Sequence, residues 1–123
     1  MAQESIEIVR AAIEAWNRGD IDAWISAWDE RAEFHPLCAQ LEGDVYRGHD
    51  GLRRFVAEMA EEWEEVRFEV DEIRGAGEQV VALGRGRARG QTSGVERDAL
   101  LALVGVVRDK KLVYARCAAM GSG

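Results

Sequence analysis

The sequence predicts an α+β domain, with helices first and antiparallel strands after them. Three observations carry this. Apolar residues recur at three- and four-residue steps in the first half, as Ile6, Val9, Ile13 and Trp16 and again as Ile21, Trp24, Ile25 and Trp28. After Glu65 the period drops to two, with Val66, Phe68 and Val70 alternating with Arg67, Glu69 and Asp71. Turn-forming clusters then cut the remainder into strand-length pieces: Gly75-Ala76-Gly77, Gln91-Thr92-Ser93-Gly94 and Arg108-Asp109-Lys110-Lys111.

Taken in order, the first helix should end at Gly19, and Asp20 is a suitable N-cap for the second. Residues 31–37 read as a short strand closed by Pro36, the only proline, and 39–45 as a loop. Asp50 is placed to cap a third helix whose apolar stripe is Leu52, Phe55, Val56, Met59 and Trp63. The glutamates around its end, Glu58, Glu61, Glu62, Glu64 and Glu65, read as a solvated face, because no histidine joins them to make a metal site. Strands are expected over 66–71, 80–90, 95–107 and 112–119.

The chain of 123 residues suits one domain, expected over residues 1–119, and Met120-Gly121-Ser122-Gly123 reads as an appended flexible linker. No apolar run approaches the roughly 20 residues that cross a bilayer, and the N-terminus lacks the pattern of a signal peptide. The expectation is a cytoplasmic protein that engages no membrane. A net charge of -7 disfavours nonspecific binding to nucleic acid. No phosphate-binding or dinucleotide fingerprint is present, and no metal or cofactor is expected. The two cysteines, Cys38 and Cys117, have no metal-ligand spacing and read as small buried apolar residues. A catalytic thiol at Cys38 beside His35 is the lesser reading.

The hairpin around residues 91–94 permits a face assignment. If Gly90 pairs with Val95, then Arg89 faces Glu96 and Arg87 faces Asp98, and the charged side is the outer one. Val95, Arg97, Ala99, Leu101, Leu103, Gly105 and Val107 then face inward. Leu100, Ala102, Val104 and Val106 form an apolar row on the outer face, which is seldom left in water. The faces of Tyr114 and Arg116 depend on the turn at 108–111, because one residue of slip reverses them.

One block carries a family resemblance: Ala32-Glu33-Phe34-His35-Pro36, followed by Tyr46-Arg47-Gly48-His49-Asp50-Gly51-Leu52-Arg53-Arg54-Phe55. With the two helices before it and the hairpins after it, this order resembles the SnoaL-like branch of the NTF2-like superfamily, which includes ketosteroid isomerase. The resemblance implies a cone-shaped, curved antiparallel sheet with three helices packed on its concave side around an apolar pocket. It also implies a homodimer formed through the outer sheet face. Family activities include polyketide cyclisation and isomerisation by acid–base residues. By position, the isomerase's general base falls on His35, and imidazole titrates nearest neutrality. The isomerase's oxyanion-binding tyrosine and acid fall near Ala12 and Leu103, which cannot donate a side-chain hydrogen bond.

The chain also departs from the family where large aromatics commonly stand near Leu103 and Gly105, and where a glycine commonly stands at Lys110. Such departures leave a cavity, a collapsed core or room for a guest. The expected pocket lining is Trp16, His35, Phe55, Met59, Trp63, Leu101, Leu103 and Gly105, with His49 structural. The leading function is binding of a small, mostly apolar molecule, with isomerase- or cyclase-like proton transfer through His35 as the enzymatic version. An engineered catalyst or binder on this scaffold, and a dimerising interaction domain without a small ligand, are the alternatives.

Overall fold

A computed structural model describes residues 2–36, 45–91 and 94–119. Three helices and six strands follow in the order α1 (Ala2–Asn17), α2 (Ile21–Ser26), β1 (Trp28–His35), β2 (Tyr46–Arg47), α3 (Gly48–Glu62), β3 (Trp63–Ala76), β4 (Gln79–Gly90), β5 (Glu96–Arg108) and β6 (Lys111–Ala119). The strands form one curved, unclosed sheet in the order β2-β1-β6-β5-β4-β3. Every pairing is antiparallel except β1 with β6, which is parallel. A parallel pair needs a long crossover, and everything from α3 to β5 supplies it. The expected loop before residue 45, the thiol at Cys38 and the tail at 120–123 lie outside the described residues.

The two N-terminal helices are joined at a single tight corner. Gly19 takes a φ of 77°, and the Gly19 and Asp20 amides donate to Trp16 and Ala15 at 3.0 and 2.9 Å, which closes α1 with its last carbonyls satisfied. The Asp20 carboxylate then accepts from the Ala23 amide at 3.2 Å and opens α2. The second helix is shorter than its periodicity suggests. It ends at Ser26, and Trp28 begins β1 three residues before the expected strand. Similarly, α3 starts at Gly48, so Asp50 lies in the first turn, where its charge favours the helix dipole, and does not cap it. Trp63 leaves α3 at extended dihedrals and is the first residue of β3.

Eight aromatic contacts bind these elements. Trp24 meets Trp16 at 4.9 Å between ring centroids, Trp28 at 5.7 Å, and Phe34 and Phe55 each at 6.1 Å. Phe34 also meets Phe55 edge-on at 5.0 Å. One cluster therefore joins α1, α2, β1 and α3, at distances where each pair adds about 0.5–1.5 kcal/mol beyond burial. At the far side, β3 is a sheet edge. Asn17 covers part of it like a strand, donating to the Phe68 carbonyl at 2.8 Å and accepting from the Phe68 amide at 2.9 Å. Trp16 donates to the Val66 carbonyl at 2.9 Å. These bonds occupy backbone groups that an exposed edge would offer to another chain.

The β5–β6 turn is a two-residue hairpin. Arg108 pairs with Lys111, and Asp109 and Lys110 both have positive φ, 50° and 67°. That geometry favours Asn-Gly or Asp-Gly, and lysine in the left-handed region is strained by its Cβ. Lys110→Gly should therefore stabilise the protein by about 0.5–1 kcal/mol, the relief of strain outweighing the added unfolded-state entropy. Urea unfolding of the two chains measures this, and a lower midpoint for the glycine variant would refute it.

Candidate functional site

Register assigns the paired strand residues to one of two faces. Gly105 points towards the helices, since a Cβ there would meet Val9 at 3.7 Å and Leu112 at 3.1 Å. Its partners Val80 and Ala115, and Phe34 opposite Ala115, share that concave face. Alternation then adds Val66, Phe68, Ala82, Gly84, Gly86, Ala88, Arg97, Ala99, Leu101, Leu103 and Cys117. The hairpin registers in the expected way: the Gly90 amide donates to Val95 at 2.8 Å, and Arg87 and Arg89 stand opposite Asp98 and Glu96.

The concave face has two ends. At the closed end, Val80, Ala82, Gly105, Val107, Leu112 and Ala115 are buried under α1. At the other end, towards the tip of the β4–β5 hairpin, Trp16, Met59, Trp63, Phe68, Leu101, Leu103 and Cys117 are only half-buried. Leu101 lies across Gly86, where a Cβ would stand 2.4 Å from its Cδ1. Of the expected lining residues, Trp16 on α1, Phe55 and Met59 on α3, Trp63 at the start of β3, and Leu101 and Leu103 on the concave side of β5 lie towards this end, with Phe55 buried in the aromatic cluster.

The other two stand apart. The space over Gly105 is already filled by Leu112 and Val9, so the missing aromatic there is compensated by neighbours and a tryptophan would overpack the core. His35 lies on the outer face. Because Phe34 and Ala32 turn inward, Glu33 and His35 must turn outward. There the ring of His35 lies 5.2 Å from that of Tyr114, and its Nε2 is 3.4 Å from Glu33, whose carboxylate also meets Arg47 at 3.5 Å. The positional match to the isomerase base thus puts the imidazole on the wrong side of the sheet for the cup.

The sequence left Tyr114 and Arg116 unassigned, and a bulge assigns them. Val107 pairs with Leu112 but Val106 pairs with Tyr114, so Val113 is the extra residue and both Tyr114 and Arg116 face outward. His49 is structural as expected: its Nε2 is 2.8 Å from the Trp28 carbonyl. Cys117 is half-buried on the concave face rather than sealed in the core. The glutamates at the end of α3 are exposed, and among the described residues no group of histidine, cysteine and acidic side chains is arranged to hold a metal.

Two hollows lie outside the cup. One, of about 530 Å³, is open to solvent between α1 and β3, with Arg10, Glu14, Arg67 and Asp71 among its lining. The other, of about 430 Å³, is on the outer face among ion pairs, with Arg87 3.1 Å from Glu69 and Arg89 3.4 Å from Glu64. The outer face is therefore charged over β3 and the hairpin end of β4, and apolar where Leu83, Leu100, Ala102, Val104, Val106 and Tyr114 come together.

Side-chain parity on β1 is testable. Phe34→Ala should cost about 3–5 kcal/mol, the usual loss for a buried aromatic. His35→Ala should cost less than about 1 kcal/mol, as for a partly exposed side chain. Chemical denaturation of the two variants decides the matter, and similar losses would contradict the assignment of faces.

The family model of the SnoaL-like domain matches residues 9–115. No curated protein gives a significant match. Solved structures resemble the chain along most of its length. An NTF2-like protein of unknown function from Burkholderia pseudomallei is 21% identical with a TM-score of 0.85, over 95% of this chain and 91% of that one. TerC, co-crystallized with polyporic acid, is 19% identical with a TM-score of 0.84, over 95% and 92%. A protein from Jannaschia sp. CCS1, provisionally assigned as a SnoaL-like polyketide cyclase, is 16% identical with a TM-score of 0.81, over 96% and 86%.

Proposed function

The chain belongs to the SnoaL-like domain family, and on that premise we propose that it binds a small, mostly apolar molecule on the half-buried part of its concave face. One observation carries this reading. Towards the β4–β5 hairpin the face is less fully covered than under α1, and Trp16, Met59, Trp63, Leu101 and Leu103 are each only partly buried. Apolar side chains that converge in a concavity, with few polar groups among them, are the usual composition of a small-molecule site. The polyporic acid of TerC supports the reading, as a small molecule carried by a relative of the same fold.

Binding is favoured over proton transfer. Among the described residues, the concave strand positions of β3–β6 hold Cys117 and Arg97 as their chemically active side chains, and neither is an efficient general base at neutral pH. A neutral fluorescent probe, N-phenyl-1-naphthylamine, should gain emission on binding the native chain. Leu101→Glu should weaken that binding at least about tenfold by placing an unpaired charge against the apolar wall. Undiminished binding by a folded Leu101→Glu chain would remove the cup as the site.

A second reading concerns assembly. The apolar outer row of Leu100, Ala102, Val104 and Val106 adjoins Leu83 and Tyr114, and Leu100 is 39% exposed. We propose that two copies pair through this face as a homodimer, which gives the interaction-domain alternative a place beside ligand binding. Val104→Arg should then convert a dimer mass to a monomer mass in light scattering at micromolar concentration. A native chain that is already monomeric would refute the pairing.

A further inference from the structure

Among the described residues that register pairs across β3–β6, the concave face carries one charge. Through β3, β4, β5 and β6, alternation gives this face Val66, Phe68, Val80, Ala82, Ala88, Ala99, Leu101, Leu103 and other small or apolar residues, and a single ionised side chain, Arg97. Arg97 stands opposite Ala88, which stands opposite Val66, and Trp16 hydrogen-bonds the Val66 carbonyl. Arg97 alternates with Ala99 and Leu101 along β5, so it occupies the outer rim of the half-buried apolar surface.

Its charge is also uncompensated. On the neighbouring strand Arg87 meets Glu69 and Asp98, and Arg89 meets Glu64 and Glu65, all on the other face. Among the described residues Arg97 has no carboxylate within 4.0 Å, although the chain carries 23 acidic residues against 16 basic ones. Among the register-paired positions of β3–β6, Arg97 is thus a lone guanidinium on a face of small and apolar side chains.

We infer that Arg97 selects for a ligand that joins an apolar, aromatic-sized body to one anionic group, with the body against Leu101, Leu103, Trp16 and Trp63 and the anion at the guanidinium. This deepens the proposed small-molecule site and rests on it. Guanidinium is suited to the task because it is always charged and offers paired donors to a carboxylate, sulfonate or enolate. The net charge of -7 works against nonspecific uptake of anions, so an anion bound here must be drawn by the local field.

The test compares two probes with one aromatic frame: 8-anilinonaphthalene-1-sulfonate and its uncharged analogue N-phenyl-1-naphthylamine. Arg97→Gln should weaken the sulfonate about three- to tenfold and leave the neutral probe unchanged, the range expected between an exposed ion pair and a charge-assisted hydrogen bond. Arg97→Lys should fall between. Raising the salt from about 0.05 to 0.5 M should erode sulfonate binding to the native chain more than to Arg97→Gln. Equal effects of Arg97→Gln on both probes, or none on either, would overturn the inference while leaving the cup intact. If neither probe binds the native chain, the small-molecule site fails and the inference fails with it. Arg97 is exposed, and a folded far-ultraviolet circular dichroism spectrum of each variant accompanies the titrations.

Discussion

The inward packing of Phe34 against Trp24, Trp28 and Phe55 is the constraint on which the rest of the arrangement depends. It holds α2 and α3 to β1, and so determines where the sheet is covered and where it is bare. It also fixes the parity of β1. With Phe34 inside, Glu33 and His35 are outside, whatever the residue types at those positions would suggest about chemistry. A strand offers alternate residues to opposite faces, so one large buried ring decides the environment of its neighbours on both sides.

The two faces of the sheet handle charge differently. Outside, opposite signs meet across strands, which keeps a surface of arginines and glutamates soluble at little net gain in stability. Inside, small residues such as Gly84, Gly86 and Ala88 let other groups approach the sheet closely. A side chain at Gly84 would collide with the Glu69 carbonyl at 2.1 Å, so the bulge of β3 rests directly on this glycine. The same close approach lets Leu101 fold down over Gly86. The concave surface is therefore shaped by which side chains are missing as much as by those that are present.

Much of the fold was legible from periodicity. The change of period after Glu65 marked the passage from helices to strands, and the pairing of Arg87 with Asp98 followed from hairpin register. Boundaries were less legible where one residue satisfied two patterns. Trp28 continues the helical stripe of Ile21, Trp24 and Ile25, yet it begins a strand, from which its ring meets Trp24 at 5.7 Å and Phe34 at 5.2 Å. Trp63 posed the same ambiguity at the end of α3. The parallel β1–β6 pair has no local signal, since it joins segments some 80 residues apart. The face of His35 could have been read from the strand itself: Phe34 and Ala32 are its apolar alternates, and a histidine between Phe34 and buried Pro36 belongs on the other side. Tyr114 depended on the bulge at Val113, which alternation alone does not reveal. Positional likeness to an isomerase carried the residue type without its orientation.

The parallel seam between β1 and β6 has a consequence for biosynthesis. Among the described residues, 28–35 find their longer sheet partner in residues 112–116. Residues 112–116 must therefore have left the ribosome before the first strand can pair with β6. Until then Trp24, Trp28 and Phe34 are attached to a segment with a two-residue partner, β2, and an unfilled hydrogen-bonding edge. Contacts this distant along the chain slow folding, and a strand edge left waiting with exposed aromatic rings is open to wrong partners. The aromatic residues that organise the core thus wait for the side of their packing that Leu112 and Ala115 supply.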